Sequence, residues 1–499
     1  MRPLWHDFAY KQHQIVAVNW MLKREKDTIA PGGIVCDEMG LGKTIECLGL
    51  IKNQPLSRTL IFAPLAVLEQ WAATAEKASI QVWRPHKTEA VWIPNGSVAR
   101  RRILALLGAP NIYLVSYELA RSRDDLIFGQ IEAWDRLVCD EAHRIAGKNL
   151  NSALVGLIKC SARWFLTATP IVNGMHNLHT LLGLLGYEGS QYMSKGERDA
   201  LIRQCVIART MDQLRAIMPD APPRPVFVKH SLPFLTDDER EFYTGIQGLL
   251  TKRFRVLEDE RKNGFERFRL LMRLRQLSLH PQIYIEARKK ILGRAYNRPD
   301  WTGTSTKFEK IQELFSASAG EPHKWIIFCH FHSEMEMLQT SLRALPFVRH
   351  VGIYSGAENA GQREKVLAES REPLLTGADV HVSDPIHAIA PDFVGLDHLR
   401  GPSPKSADVL LVQLQAGGVG LNLQHCDRII FTGPWWTSAL MEQAVGRAVR
   451  IGQKAVVEVH HLILKEEEGM NIDRVIMEKA VTKGEMCRDV LKVAFTDMV

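Results

Sequence analysis

The sequence predicts an α/β protein made of two parallel-sheet units joined by a long helical segment. Three observations lead there. In the first half, the short apolar runs Gly33 to Cys36, Leu60 to Ala63, Ile112 to Ser116 and Leu137 to Cys139 are each followed by an amphipathic stretch, the rhythm of parallel strands with crossover helices. Between Asp237 and Arg294 the pattern becomes charged and helical, with no strand-like alternation; it contains Arg269-Leu270-Leu271-Met272-Arg273-Leu274-Arg275. Strand-like runs then resume at Trp325 to Cys329, His350 to Tyr354, Val409 to Leu414 and Arg428 to Phe431. These shifts divide the chain into an N-terminal unit (1–231), a helical protrusion (232–306) and a C-terminal unit with closing helices (307–499). Pro222-Pro223-Arg224-Pro225 stiffens the exit from the first unit, and Pro373 to Lys405 reads as a surface insertion in the second.

Composition sets the outer bounds. Over 499 residues, 46% hydrophobic and 24% charged content excludes a mainly disordered or collagen-like chain. Sixty-three Lys and Arg against 56 Asp and Glu give +7, too mild a surplus to name an anionic partner without local patches. The eight cysteines never approach C-x-x-C spacing, which argues against zinc ribbons, RING modules and redox dithiols and points to a reducing compartment. Met1-Arg2-Pro3-Leu4-Trp5-His6-Asp7 has no signal core, and no apolar run reaches the roughly 18 residues of a membrane helix, so the expectation is a soluble intracellular protein.

Chemistry first becomes legible at Gly32-Gly33-Ile34-Val35-Cys36-Asp37-Glu38-Met39-Gly40-Leu41-Gly42-Lys43-Thr44, a strand running into a glycine loop and then a helix. Gly40 and Gly42 let the backbone N–H groups around Leu41 converge on phosphate oxygens, and the helix N-terminus adds positive dipole. Lys43 is placed to reach the β- and γ-phosphates of a nucleoside triphosphate, and Thr44 to ligate Mg²⁺. Asp37 stands where such loops usually begin with glycine. Further on, Arg136-Leu137-Val138-Cys139-Asp140-Glu141-Ala142-His143 is a short strand ending in two adjacent carboxylates. Asp140 would hold the Mg²⁺ that bridges the phosphates, and Glu141 would orient and deprotonate the attacking water. An acidic pair after a strand is by itself more often a solvated loop; the glycine-lysine-threonine loop upstream tips the reading to chemistry. His143 reads as coupling to another segment rather than as a metal ligand. Thr167 and Thr169, in Leu166-Thr167-Ala168-Thr169-Pro170, are expected to hydrogen-bond the two carboxylates, or simply to close a strand.

In the second unit, Arg447 and Arg450 fall three residues apart and share a helix face, so both guanidiniums can address one anion. Gly417-Gly418-Val419-Gly420-Leu421-Asn422-Leu423 follows a strand and allows close backbone approach to phosphate.

Taken together, DEMGLGKT at Asp37 to Thr44, DEAH at Asp140 to His143, LTATP at Leu166 to Pro170, AGGVGLNL at Ala416 to Leu423 and QAVGRAVRIGQ at Gln443 to Gln453 resemble the SWI/SNF-type ATPases of helicase superfamily two. The resemblance spans about Phe8 to Leu464 and makes the aspartate at Asp37 ordinary for the family. It implies two RecA-like P-loop lobes that bind ATP and Mg²⁺ in the cleft between them. It further implies that Gln14, in Tyr10-Lys11-Gln12-His13-Gln14, meets the adenine, and that Asp37, Gly40, Leu41, Gly42, Lys43, Thr44, Gly420 and Gln443 form the nucleotide site. By the same likeness Arg447 and Arg450 are arginine fingers that act with Lys43, Asp140 and Glu141, while Ile61 to Trp71 and Val115 to Glu118 hold the tracking strand of DNA. Gly433-Pro434-Trp435-Trp436 and Leu271 to Pro281 look like the branch of the helicase-like transcription factor and related DNA-repair translocases. No cysteine lies between Pro281 and Lys324, so the RING insertion of that branch is not expected. Gln415, Val449 and Gly433 depart from the family pattern in ways that bear on DNA affinity and coupling.

The function so implied is ATP-dependent translocation on double-stranded DNA, in chromatin or protein–DNA remodelling, DNA repair or transcription. Nucleosomes or DNA-bound proteins are expected partners, with a separate targeting subunit, because the chain reads as a motor with little beyond its lobes. Location in the nucleus is the family default, and cytoplasm would follow from a bacterial or viral origin. The rivals are a strand-separating DNA or RNA helicase and a chromatin-bound scaffold with little ATPase activity. Arg100-Arg101-Arg102, Lys252-Arg253-Phe254-Arg255 and the Arg273/Arg275 stretch are the candidates to meet DNA phosphates, though each is more readily a solvated helix face than a DNA contact. Trp435 and Trp436 are expected to pack rather than to stack on bases.

Overall fold

A computed structural model describes residues 1–27, 29–89, 91–95, 111–129, 131, 133–259, 264–374, 407–414, 421–465 and 471–494. Two sheets organise them. The first takes β1 (Gly32–Val35), β2 (Thr59–Ala63), β3 (Gln81–Pro85), β4 (Trp92–Pro94), β5 (Asn111–Ser116), β6 (Trp134–Asp140), β7 (Cys160–Leu166) and β8 (Val206–Ile207) in the order β4-β3-β5-β2-β6-β7-β1-β8. Every neighbour pairing is parallel except β3 with the edge strand β4. The central strands β1 and β2 are buried along their whole length, as a sheet covered on both faces requires. Helices Gln12–Arg24, Lys43–Asn53 and Leu68–Lys77 supply part of that cover, through Ala17, Met21, Leu48, Ile51, Trp71 and Ala75.

The second sheet contains β9 (Val226–Leu232), β10 (His323–Cys329), β11 (Val348–Tyr354), β12 (Ala407–Gln413), β13 (Arg428–Phe431) and β14 (Glu458–Leu464), all parallel, in the order β11-β12-β10-β13-β14-β9. Here the structure departs from the sequence reading, which ended the first unit at residue 231. Strand β9 crosses over and pairs with β14, Val226 opposite Glu458 through Leu232 opposite Leu464. After β8 the chain turns through the helical segments Met211–Leu214 and Arg215–Ile217, and Pro222, Pro223 and Pro225, which lack an N–H, keep the next stretch out of a ladder until β9.

Between β9 and β10 in the chain come the helices Asp237–Asp259, Gly264–Leu279 and Pro281–Leu292, where the sequence places its helical segment. His280 caps the last of these by accepting from the Gln282 N–H, with proline at the first helical position. The final helix, Ile472–Ala494, spans both units. Its first turns pack Ile472 and Ile476 against Leu274, and its last turns bury Cys487, Val490 and Ala494 in the core of the first sheet. Asp473 anchors its start: the carboxylate accepts from Lys307 Nζ (2.6 Å), Ser278 Oγ (3.2 Å) and the Leu464 N–H (3.0 Å), joining the protrusion, the helix Thr306–Ala317 and the end of β14. Among the described residues no helix is long and apolar enough to cross a membrane.

Lys307 and Asp473 are each 1% exposed, so removing one partner strands a buried charge. The Asp473→Ala variant is expected to lose about 3 to 5 kcal/mol, read as a lower denaturation midpoint in urea.

Candidate active site between the two sheets

In the first sheet the register brings the two sequence motifs together. Asp140 at the end of β6 lies opposite Leu166, and Leu166 lies opposite Val35, so the carboxylate pair and the glycine loop leave neighbouring carboxyl ends of the sheet. That edge is where open parallel sheets bind ligands. Gly40 (φ 92°) and Gly42 (φ 97°) adopt left-handed backbone, and a Cβ on Gly42 would lie 2.7 Å from Gln14 Nε2. Gln14 donates to the Leu41 carbonyl (3.1 Å), which His13 Nε2 also meets (2.9 Å). Lys43 Nζ donates to the Asp37 carbonyl (2.7 Å), and the helix carrying Thr44 begins at Lys43.

The Asp37 side chain is 0% exposed and is bound by protein groups. It accepts from Arg209 Nε (3.0 Å) and Nη2, and the same Nη2 donates to Glu46 Oε1 (2.9 Å). Arg209 Nη1 also donates to the His13 carbonyl. One guanidinium therefore ties the glycine loop, the helix behind it and the helix that carries Gln14. Burial lifts the Glu46 carboxyl well above the usual range, with Asp37 adding to the rise and Arg209 opposing it. Nothing local in the sequence marks Arg209, which lies 172 residues from Asp37.

Asp140 and Glu141 are adjacent but differently held. Asp140 Oδ1 accepts the Glu141 N–H (2.9 Å) and Oδ2 accepts the Trp71 indole N–H (2.8 Å), while Tyr117 OH donates to its backbone carbonyl (2.6 Å). Burial, reinforced by the Glu141 charge, pushes the Asp140 carboxyl up to about 6. Burial would raise Glu141 as well, but His143 Nδ1 at 3.3 Å, Lys43 and Arg447 outweigh it and hold the carboxyl down at about 2. Glu141 also has left-handed backbone (φ 50°, ψ 51°), strain of the kind that gathers at functional positions. Thr167 does not reach the carboxylates: its Oγ1 accepts the Thr169 N–H (3.1 Å), which closes the strand end as a turn.

The second sheet supplies the opposite wall. Helix Ser438–Val445 ends against the glycine loop so closely that a Cβ on Gly446 would lie 2.9 Å from Met39 Sδ, and a Cβ on Gly40 would meet Arg450 Cγ at 3.8 Å. Gln443 on that helix is buried. Arg447 is 4% exposed; burial lowers its pKa against the pull of Glu141 and Asp140. Burial takes Arg450 down to about 10, with Arg447 adding to the fall and Glu141 opposing it, and its Nε donates to the Gly446 carbonyl (2.7 Å). The structure thus brings Gln14, Lys43, Thr44, Asp140, Glu141, Gln443, Arg447 and Arg450 to one cleft. Gly420, Gln415, Arg100-Arg101-Arg102 and nearly all of the Pro373 to Lys405 insertion lie outside the described residues.

The arginines of the protrusion divide. Arg275 is 2% exposed, its guanidinium 4.3 Å from the Trp435 ring, and it donates to the Pro434 carbonyl (2.5 Å). Arg273 is buried too and donates to Gln276 (2.6 Å), so neither faces outward as a phosphate contact would. The sequence pattern could not separate them from Lys252 and Arg253, which stay on the outer helix. Trp435 packs, stacked on His330 with centroids 5.3 Å apart.

Two α/β sheets meeting over a glycine-lysine-threonine loop, with a carboxylate pair on one side and two arginines on the other, define a two-lobed P-loop nucleotide-binding protein. The model of the SNF2-related domain matches residues 13–283, and that of the helicase conserved C-terminal domain matches 396–452. The chain belongs to the SNF2-related family. It is 26% identical over 95% of its length to the SWI/SNF-related matrix-associated actin-dependent regulator of chromatin subfamily A member 1 of Mus musculus, of which 42% is covered. The ISWI chromatin-remodeling complex ATPase of Saccharomyces cerevisiae is likewise 26% identical over 96% of the chain, with 40% of that protein covered. The chain thus spans about two fifths of those relatives. A probable global transactivator of Orgyia pseudotsugata multicapsid polyhedrosis virus is 24% identical over 92% of the chain and 87% of its own length. A solved structure, the Sulfolobus solfataricus SWI2/SNF2 ATPase core in complex with dsDNA, aligns over 100% of this chain and 99% of its own at 20% identity and a TM-score of 0.39.

Because Asp37 and Glu46 have no exposure, Arg209→Met leaves two carboxylates buried without their cation. It is expected to destabilise the protein by about 3 to 5 kcal/mol, measured as a shift of the urea midpoint.

Proposed function

We propose that the chain is an ATP-dependent translocase on double-stranded DNA, hydrolysing ATP in the cleft between the sheets and acting in remodelling of chromatin or other protein–DNA complexes, in repair or in transcription. The observation that carries the reading is the seating of Arg447 and Arg450 from one unit beside the glycine loop and the Asp140–Glu141 pair of the other. Membership of the SNF2-related family supports it, as do relatives whose names include chromatin-remodelling ATPases. The working division is a first lobe up to the proline segment, the helical protrusion, and a second lobe that takes in β9.

In this reading Gln14 faces the base, the backbone of Gly40 to Gly42 surrounds the phosphates, and Lys43 neutralises their charge. Glu141, kept ionised by His143 and Lys43, takes the proton of the attacking water as the bond from the γ-phosphorus to the bridging oxygen breaks. Arg447 and Arg450, which crowd each other in a desolvated cleft, find a shared counter-charge in the γ-phosphoryl group. The donor set suits Mg²⁺: a hydroxyl at Thr44, a partly buried carboxylate at Asp140 and phosphate oxygens, the mix this cation takes in nucleotide sites. Bound there, Mg²⁺ would neutralise phosphate charge and polarise the phosphoryl oxygen. The nucleus as location, nucleosomes or DNA-bound proteins as targets, a targeting subunit, and kinship with the helicase-like transcription factor branch belong to the same proposal.

Steady-state ATP hydrolysis with duplex DNA, single-stranded DNA or RNA tests it. Stimulation by duplex DNA is expected. Stimulation by single strands alone points instead to a strand-separating helicase, and no activity with any nucleic acid points to a scaffold. Lys43→Ala should lose nucleotide binding, whereas Glu141→Gln should bind ATP and turn over at least a hundredfold more slowly, on the order expected for a general base. The pH profile gives a second check. Burial and the Glu141 charge hold the Asp140 carboxyl up at about 6, and it must be ionised to hold a cation, so kcat/KM is expected to fall as pH drops through about 6 and level off above it.

A further inference from the structure

The hydrogen bond from Trp71 to Asp140 joins a surface segment to the cleft. Trp71 is 2% exposed and sits on helix Leu68–Lys77, whose inner face of Leu68, Trp71, Ala72 and Ala75 is locked into the core of the first sheet. Buried this deeply, the indole N–H needs a partner, and it donates to Asp140 Oδ2 at 2.8 Å, while Oδ1 is held by the Glu141 N–H at 2.9 Å. Each carboxylate oxygen thus has one fixed donor, which sets the plane of the carboxylate and leaves its remaining lone pairs directed. Tyr117 OH, donating to the Asp140 carbonyl at 2.6 Å, holds the backbone of the same residue from a second helix.

We propose that Trp71 is a positioning residue for the hydrolytic centre: its indole N–H orients the Asp140 carboxylate for the divalent cation that accompanies the nucleotide. This rests on the nucleotide site proposed above. Trp71, 2% exposed, acts through its bond to Asp140. The turn Leu65–Val67, with Leu65 70% exposed, leads directly into the Trp71 helix.

The test uses the whole chain and a fluorescent ADP analogue, titrated with Mg²⁺. Trp71→Phe keeps an aromatic ring in the core and deletes the donor. Loss of a hydrogen bond to a charged group is worth on the order of tenfold or more in affinity, so Trp71→Phe should need about tenfold more Mg²⁺ for half-maximal nucleotide binding. Its metal-free nucleotide affinity should stay within twofold of the parent. Ile80→Ala, in the same buried core with no bond to Asp140, should leave the Mg²⁺ requirement unchanged. Equal Mg²⁺ requirements in the parent and Trp71→Phe, or equal shifts in Trp71→Phe and Ile80→Ala, overturn the assignment. Failure of the parent to bind the analogue at any Mg²⁺ concentration overturns the nucleotide site itself, and the inference with it.

Should Trp71→Phe not fold, the indole ¹⁵N–¹H resonances of the parent decide. The Trp71 signal, assigned by its displacement in Asp140→Asn, should move when Mg²⁺ is added to the ADP-bound protein. A signal that does not move refutes the proposal.

Discussion

A single guanidinium governs the glycine loop. Arg209 faces Asp37 and Glu46, both without exposure, and also holds the His13 carbonyl. Two carboxylates at that depth cannot both be charged without a cation between them, since desolvation penalises each and each repels the other. Their shared partner makes the conformation of the loop a consequence of packing in the first lobe. Lys43 follows, because the Asp37 carbonyl it bonds belongs to the residue that Arg209 pins. Gln14 follows too, since it grips Leu41 from the helix whose His13 carbonyl ends on the same guanidinium.

With the loop set, the cleft is completed by contact rather than by chain connectivity. Gly446 and Gly40 have no side chains where the two lobes meet, and van der Waals distance at those points lets the helix bearing Gln443 end directly on the loop. Arg447 and Arg450 then have nowhere to go but toward the Asp140–Glu141 pair. The helix Ile472–Ala494 works alongside this contact, because its two ends are buried in different lobes and a relative motion of the sheets must repack one of them. The proline segment and β9 connect the lobes from another side, with β9 already committed to the second sheet.

Much of this was legible in the residues. Strand β1, the glycine loop and the helix after it follow from an apolar run, two glycines and a lysine-threonine pair, each a local signal. Strands β2, β5, β6, β10, β11, β12 and β13 coincide with apolar runs, because the stretch of each strand that the covering layers bury is apolar. Strand β9 was missed: it is an edge strand with exposed Val226 and Phe227, and partner choice rather than composition makes it part of the second sheet. Arg275 was misread as outward-facing for a similar reason. A basic helix face looks the same in sequence whether solvent or Trp435 covers it.

The sequence by itself determined the two-lobed α/β plan, the glycine loop and the carboxylate pair, because strand period and turn chemistry act over a few residues; the helix face expected to carry Arg447 and Arg450 ends at Val445, and both arginines stand in the turns that follow it. Only the tertiary structure decided that Arg209 pairs with Asp37, that the Trp71 indole meets Asp140, and that β9 belongs to the second sheet. Those outcomes depend on which groups lose water together, and residues 172 apart in the chain share that fate only once the sheets have formed.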